Sequence, residues 1–343
     1  MEPLKIGFIG AGTNTKERHI PGFQAIDGVE LEMVCNRSEE SSRAVAEAFG
    51  IKRIGMTWRE VVEDPEVDAV CIGTWPYLHA DASIAALKNG KHVLCEARMA
   101  MNLEEAEAML KASKAAPHLV AQVVPSPFTL EWDATVKRMV EDGTLGPLRE
   151  IRAIHTGGQA VREDTPLTWR QHFEYSGINV LSMGIFHEAI QRWLPEEPAW
   201  ISADGAIFHE YRLDPETERP HHVRIPETLT VTGRYPDHSR LIYHFSSLES
   251  GRPEMKIRIN AEKGSLHMDL LAGELRWADA GQTEEKAVEI PEAEKKGWNV
   301  EADFVASIRE GKPVERTSFA DGVRYMAFTQ RVFESLAQEG ARK

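Results

Sequence analysis

At 343 residues and 38.5 kDa, with 42% hydrophobic and 27% charged residues, the chain has ordinary globular proportions and length enough for two domains rather than one core. Its 54 acidic residues against 40 basic ones give a net charge of −14, which repels phosphate backbones and excludes a nucleic-acid partner. No apolar run reaches the roughly 18 residues that cross a bilayer, which excludes a membrane-spanning role.

Met1-Glu2-Pro3-Leu4-Lys5 runs directly into an apolar strand pattern, without the basic segment and long apolar stretch of a secretory signal. Cys35, Cys71 and Cys95 lie far apart in short apolar runs, and His221-His222 is a lone pair in a polar stretch. Metal sites need closer Cys/His spacing, so the expectation is buried free thiols, no metal and a soluble cytoplasmic protein.

In chain order, Leu4–Ile9 reads as a strand leading into glycines, and Val29–Cys35 as a second. Ser38 caps a helix whose first turn holds Glu39 and Glu40, favourable at the positive end of the helix dipole, and Gly50 ends it. Thr57 and Glu60 form a capping box for a short helix closed by Asp64-Pro65. Ala69–Ile72 is a strand, Ala80–Lys88 a helix and His92–Cys95 a strand. Asn102 caps a helix to about Ala115, and Leu119–Val124 closes the series. Short, uniformly apolar strands alternating with helices predict a doubly wound parallel sheet covered on both faces, over residues 1–124.

Pro125-Ser126-Pro127 is a proline-restricted hinge, and residues 125–343 form the second predicted domain. After a helix over Leu130–Glu141, strands are expected at Leu148–His155, Trp200–His209, Thr228–Tyr235, Leu241–Ser247, Lys256–Asn260 and Ser265–Leu270. Several alternate polar and apolar residues, as a one-sided antiparallel sheet does. Helices are expected over Asn179–Leu194, Val300–Glu310 and Gly322–Gln338. The second domain is therefore α+β around a large, mostly antiparallel open sheet.

The turn Gly10-Ala11-Gly12-Thr13-Asn14-Thr15 lets the backbone bend sharply and approach a pyrophosphate, whose charge is met by amide hydrogens at a helix start. The third glycine of the G-x-G-x-x-G dinucleotide fingerprint is replaced by Thr15. At the end of the second strand, where an acid would hold the ribose of NAD, stand Asn36, Arg37 and Ser38. A neutral amide followed by Arg and Ser favours NADP over NAD.

Several segments together carry a resemblance: Gly7-Phe8-Ile9-Gly10-Ala11-Gly12, His19-Ile20-Pro21-Gly22-Phe23, Thr74-Trp75-Pro76-Tyr77-Leu78-His79, the run Ala86–Glu96, and Phe304–Gly311. In order and spacing they resemble the Gfo/Idh/MocA family (glucose–fructose oxidoreductase, inositol dehydrogenase, rhizopine catabolism) over nearly the whole chain. The resemblance implies a Rossmann domain followed by an α/β domain with an open sheet. It also implies an NAD(P)-dependent oxidoreductase acting on a carbohydrate-like small molecule, and a homodimer or homotetramer formed through the C-terminal sheet. It places Thr74, Trp75, Pro76 and His79 along the cofactor and Glu96 beside the nicotinamide ribose.

The departures from the family pattern are informative. Where the family carries Lys-Pro after the glutamate, this chain has Ala97-Arg98; alanine moves no proton, and a guanidinium orients but makes a poor base. The family's Asp-x-Gly-x-His aligns with Ser182-Met183-Gly184-Ile185-Phe186, so both acid and base are replaced. His187, one residue late, is the general base this reading nominates, with a satisfied interior histidine as the alternative; Asn179 is expected on the same helix face, and Tyr77 is a phenol for the pocket rim. Trp169, Arg170 and His172 match a segment that borders the substrate in the family. With two catalytic positions vacated, two other readings stand beside the dehydrogenase: a lyase or glycoside-cleaving enzyme that retains its cofactor without net redox change, and a catalytically silent nucleotide sensor.

Overall fold

In a computed structural model that describes residues 2–194 and 196–340, the chain forms two units. The first runs to Pro125 and takes in Asn299–Met326; the second comprises Ser126–Trp298 and the chain from Ala327 onward. A division into 1–124 and 125–343 assigns the late segment differently. Its return follows from three anchors inside the first unit: Phe304 packs edge-on against Phe23, Arg309 donates to the carbonyls of Asp27 and Gly28, and Thr317 accepts from the amide of Val123.

The first unit holds β1 (Leu4–Ile9), β2 (Val29–Cys35), β3 (Arg53–Ile54), β4 (Ala69–Ile72), β5 (His92–Cys95) and β6 (Ala121–Val123). All pair in parallel, in the order β3-β2-β1-β4-β5-β6. Helices α1 (Ile20–Gln24), α2 (Glu39–Phe49), α3 (Trp58–Glu63), α4 (His79–Lys88) and α5 (Leu103–Ala115) connect them. Every side chain of β4 is buried, as expected of a strand covered on both faces, and all three cysteines are buried free thiols. The caps form locally: Ser38 Oγ accepts from Ser41 N, Thr57 Oγ1 from Glu60 N and Asn102 Oδ1 from Glu105 N. The strand order reverses between β1 and β4, the crevice where open α/β sheets bind ligands.

The second unit opens with α6 (Asp133–Glu141), shorter than the helix expected from Leu130, and β7 (Leu148–Thr156). There follow α7 (Phe173–Ser176), α8 (Met183–Gln191), β8 (Trp200–Ala206), β9 (Tyr211–Asp214), β10 (Arg219–His222), β11 (Thr228–Arg234), β12 (Arg240–Ser246), β13 (Glu254–Ala261), β14 (Gly264–Asp269), β15 (Glu274–Asp279) and β16 (Lys286–Ala287). Eight of these strands form the sheet β16-β15-β14-β13-β7-β12-β11-β8, antiparallel except for the β7–β12 pair. Strand β13 alternates buried and less buried residues, and one face packs Ile151, Leu229, Tyr243, Phe245 and Ile257 against Met183, Phe186 and Ile190 of α8. Each such side chain contributes about 1.5–3 kcal/mol on burial. The hairpin β9–β10, unexpected from the sequence, is pinned by Arg212, which is buried on Glu227 and donates to the carbonyls of Ala160, Arg162 and Thr165.

Two late helices complete the chain: α9 (Val300–Glu310) in the first unit, and α10 (Phe319–Gly340), which belongs to the first unit up to Met326 and to the second from Ala327. Among the described residues, no helix is long and apolar enough to cross a membrane.

Candidate active site

In the first unit the glycine turn closes against the loop after β4. Gly10 has φ +79°, and a Cβ there would lie 2.5 Å from Thr74 Cγ2 and 2.9 Å from its amide nitrogen, so both conformation and space require glycine. Gly12 is exposed, and a Cβ on it would meet only the Gly73 carbonyl at 3.7 Å; backbone there is open to an approaching ligand. Thr15 stands where the fingerprint has its third glycine, and the missing space is recovered across the crevice. A Cβ on Gly73 would lie 2.0 Å from Thr15 Oγ1, so the close approach uses glycine on the partner strand's loop instead.

Asn36 fastens this turn from β2: its Oδ1 accepts from Ala11 N at 2.7 Å and its Nδ2 donates to the Ser41 carbonyl. Arg37 is exposed with its guanidinium 5.6 Å from the Trp75 ring centroid, while Ser38 serves α2 as its cap. Thr13 is exposed at the turn's tip. Thr74 Oγ1 is buried and has no hydrogen-bond partner among the described residues. An orphaned hydroxyl beside an open, glycine-lined backbone fits a polar ligand such as the pyrophosphate and ribose of a dinucleotide.

Beneath the turn lies a buried polar chain. His19 Nε2 is 2.9 Å from Glu96 Oε1 and its Nδ1 is 2.5 Å from Glu301 Oε1, while Asn14 Nδ2 donates to Glu96. Burial would lower the His19 pKa, but its hydrogen bonds to two carboxylates outweigh it and raise it to about 9. Burial acts on Glu96 in the opposite sense, and the His19 contact holds its carboxyl below the usual range. The ring is an imidazolium donating to both acids. This accounts for the sequence His19-Ile20-Pro21-Gly22-Phe23: a Cβ on Gly22 would lie 2.6 Å from Glu301, and Phe23 packs on Phe8 and Phe304. Sequence reasoning nominated Glu96 and Asn14 but missed His19 and Glu301 as members. The available signal was an acid on the apolar face of the helix Val300–Glu310.

His79 is fully buried, with Nδ1 2.9 Å from the Arg98 carbonyl and Nε2 3.0 Å from the Thr74 carbonyl. Burial lowers its pKa, and the ring lies between two carbonyl acceptors, one on each of the loops after β4 and β5, of which the single N–H of the neutral form serves one at a time. It positions the site rather than presenting a group to a ligand. Pro76 is buried and Tyr77 exposed in the same loop, and Arg98 is buried at 3% exposure beyond β5.

In the second unit, the helix expected over Asn179–Leu194 begins only at Met183, because Gly177 (φ 62°) and Leu181 (φ 47°) turn the backbone first. Asn179 therefore precedes the helix and shares no face with His187; it is buried and donates to the Ser176 carbonyl. His187 is 2% exposed, stacked 3.6 Å from Phe328, with Nδ1 3.1 Å from the Tyr243 hydroxyl and Nε2 2.9 Å from Glu197. With both ring nitrogens engaged, it has the place of a satisfied interior histidine, the alternative to the general base in the sequence reading.

Ser182 instead faces His155, near the end of β7, with Oγ 2.6 Å from Nδ1. The His155 ring also lies 5.7 Å from that of Phe186. Arg170 covers one face of Trp169 at 4.3 Å, so that face is not open to a sugar ring. His172 stacks on Tyr175 and on His221, and His172, Asp214 and His221 bring three potential ligand atoms within 4.8 Å. The hairpin already uses these groups: Asp214 accepts from Glu216 N and Thr217 Oγ1, and Glu174 lies 3.0 Å from His172 Nδ1.

Comparison with known proteins places both units. Residues 4–123 match the model "Oxidoreductase family, NAD-binding Rossmann fold", and residues 134–267 match the "GFO/IDH/MocA C-terminal domain". A levoglucosan dehydrogenase of Pseudarthrobacter phenanthrenivorans is 26% identical over 60% of this chain and 58% of its own length. A myo-inositol 2-dehydrogenase of Thermotoga maritima is 27% identical over 60% of this chain and 59% of its own. An uncharacterized oxidoreductase of Rhizobium meliloti is 30% identical over 46% of each chain, so the matches span about half the length of such curated relatives. Among solved structures, an oxidoreductase domain protein from Kribbella flavida superposes with a TM-score of 0.88 at 25% identity, covering 99% of this chain and 98% of that one. A levoglucosan dehydrogenase in complex with NADH and L-sorbose has the same fold, with a TM-score of 0.87 at 22% identity, covering 98% of this chain and 97% of that one.

Proposed function

Because the chain belongs to the Gfo/Idh/MocA oxidoreductase family, we propose that it is an NAD(P)-dependent dehydrogenase or reductase acting on a CH–OH group of a sugar, cyclitol or related polyol. The observation that carries this reading is the first unit's crevice, where the Gly10–Gly12 backbone, the orphaned Thr74 hydroxyl and the Asn14–Glu96 pair converge at the β1/β4 switch point. When bound, the nicotinamide supplies the hydride acceptor or donor. Gly12 and Thr13 give amide hydrogens to the pyrophosphate, and Thr74 gives its hydroxyl to the neighbouring ribose. Glu96, held as a carboxylate by His19, accepts from a ribose hydroxyl. Arg98 orients the substrate's oxygens.

NADP is the favoured cofactor. Asn36 carries no charge for a ribose diol and already gives its Oδ1 to Ala11, whereas exposed Arg37 beside Trp75 offers a guanidinium to a 2′-phosphate. The named relatives, levoglucosan and inositol dehydrogenases among them, support a carbohydrate-like substrate; a homo-oligomer formed through the second unit's sheet and a cytoplasmic location complete the proposal.

The test is titration of the purified protein with NADP and NAD, followed by turnover against aldoses, glycosides, cyclitols and sugar acids with product mass recorded. Tighter NADP binding with a two-hydrogen loss from one substrate class is the expected result. Binding of neither cofactor overturns the reading.

A further inference from the structure

The hairpin β9–β10 carries a group of side chains that hydride transfer does not use. Along β9, Arg212 and Asp214 are buried between exposed Tyr211 and Leu213, so they mark the inward face. His221 of β10 pairs with Arg212 and therefore shares that face, diagonal to Asp214. His222 points the other way, its ring 5.3 Å from that of Tyr211. Arg212 is neutralised by Glu227 and fastens the hairpin to the carbonyls of Ala160, Arg162 and Thr165. Asp214 and His221 meet a later part of the same loop, where His172, immediately before α7, stacks with its ring centroid 4.0 Å from that of His221.

One donor atom each from His172, Asp214 and His221 lie within 4.8 Å of one another, all inside the second unit. The two imidazoles converge further: His172 Nδ1 is 3.0 Å and His221 Nε2 is 3.6 Å from a single oxygen, Glu174 Oε2. Yet His172 Nδ1 is buried and makes no hydrogen bond among the described residues, so a ring nitrogen faces a carboxylate oxygen with no proton aligned between them. Burial holds the His172 pKa below the ordinary histidine value, which favours a neutral ring with a lone pair to give. Asp214 is held as a carboxylate, chiefly by the Glu216 amide. Its bonds from Glu216 N to Oδ1 and from Thr217 Oγ1 to Oδ2 use one lone pair of each oxygen and leave the other. Such bonds orient a ligating carboxylate. Arg224 donates to Glu174 Oε1, which leaves Oε2 turned toward the imidazoles.

We propose that His172, Asp214 and His221 bind a divalent transition-metal ion, for which zinc best matches two imidazoles and a carboxylate, with Glu174 supplying the fourth ligand. The two carboxylates balance the charge of the ion. Tetrahedral zinc holds its ligand atoms roughly 3.3 Å apart, so the donors close by about 1.5 Å at most, a distance that side-chain rotation covers. Four protein ligands leave no open position, and the role is structural: the ion ties the residues leading into α7 to both strands of the hairpin, as Arg212 ties residues 160–165. This departs from the expectation of no metal, because the donors stand at positions 172, 174, 214 and 221 and only the fold brings them together. The proposal does not depend on the dehydrogenase reading.

The test titrates the full chain, freed of metal, with Zn²⁺ against a chromophoric chelator and with Co²⁺ by visible absorbance. One zinc per chain is expected, with a dissociation constant of about a micromolar or tighter, and four-coordinate cobalt is expected to give an intense visible band. H221Q and D214N are expected to weaken zinc binding by about 100-fold or more and to abolish the cobalt band, whereas H222Q, on the opposite face of the same strand, binds like wild type. Zinc is expected to raise the melting temperature of wild type and H222Q but not of H221Q or D214N. Circular dichroism of the metal-free variants reports their folding; His221 is only partly buried and its loss breaks no described hydrogen bond, so H221Q carries the comparison if D214N fails to fold. Wild type without saturable zinc binding overturns the proposal. So does binding that H221Q leaves within about threefold of wild type, or that H222Q weakens as much as H221Q.

Discussion

The Nδ1 atom of His19 lies 2.5 Å from Oε1 of Glu301, joining the first turn of the chain to a helix 282 residues later within the same unit. An imidazolium between two carboxylates is stable in the interior only as a set: removing one member leaves an uncompensated buried charge. The contact thereby fixes Glu96 beneath the glycine turn and ties Asn299–Met326 to the unit that starts the chain.

Stability should accordingly depend on pH through His19. Its pKa rises from 6.5 unfolded to about 9 folded, so its contribution is complete below pH 6.5 and is lost as pH rises through about 9. The difference corresponds to roughly 3 kcal/mol. Urea melts of wild type and H19Q should show a gap of that order near pH 6.5 that narrows toward pH 9 and above. A gap independent of pH would contradict the imidazolium assignment.

The two glycines of the turn should behave differently. G10A introduces a side chain at φ +79° and 2.5 Å from Thr74, so both thermal stability and cofactor affinity fall. G12A meets only the Gly73 carbonyl at 3.7 Å and should melt like wild type while binding cofactor at least about tenfold more weakly, a loss near 1.4 kcal/mol. Calorimetric titration beside thermal melts separates the two.

Arg37→Ala should weaken NADP binding by about tenfold or more and change NAD binding by less than about threefold, because only the former has a 2′-phosphate for the guanidinium. Equal weakening of both would remove Arg37 from cofactor discrimination. Salt should reproduce the trend, since the pairing is exposed.

His187→Gln should cost stability, on the order of 2 kcal/mol, by disturbing the Phe328 stack and the Tyr243 and Glu197 contacts. Its kcat per folded molecule should stay within about threefold of wild type. A hundredfold loss at unchanged stability would return His187 to the chemistry.

What was legible in the chain was local. The caps at Ser38, Thr57 and Asn102 and the alternation of strands in the second unit rest on neighbours within a few residues, and they appear where the spacing puts them. The strand-final positions of the first unit were legible too, because a doubly wound sheet binds at those ends. Leu181 carries no sign of its positive φ, so the helix was read too long and His187 was given a face it does not have. Glu301 and Gly73 acquire their roles only from partners far away in sequence, His19 and Thr15.

The most direct test of the dehydrogenase account is isotopic. The protein is incubated with oxidised NADP or NAD and sugars or inositols carrying deuterium on carbon, and both cofactor and carbohydrate are analysed by mass. The account predicts deuterium in the reduced nicotinamide, matched one for one by a carbohydrate two hydrogens lighter. Substrate converted with no label left on released cofactor, or unlabelled cofactor and unchanged carbohydrate across the panel despite tight cofactor binding, would contradict it.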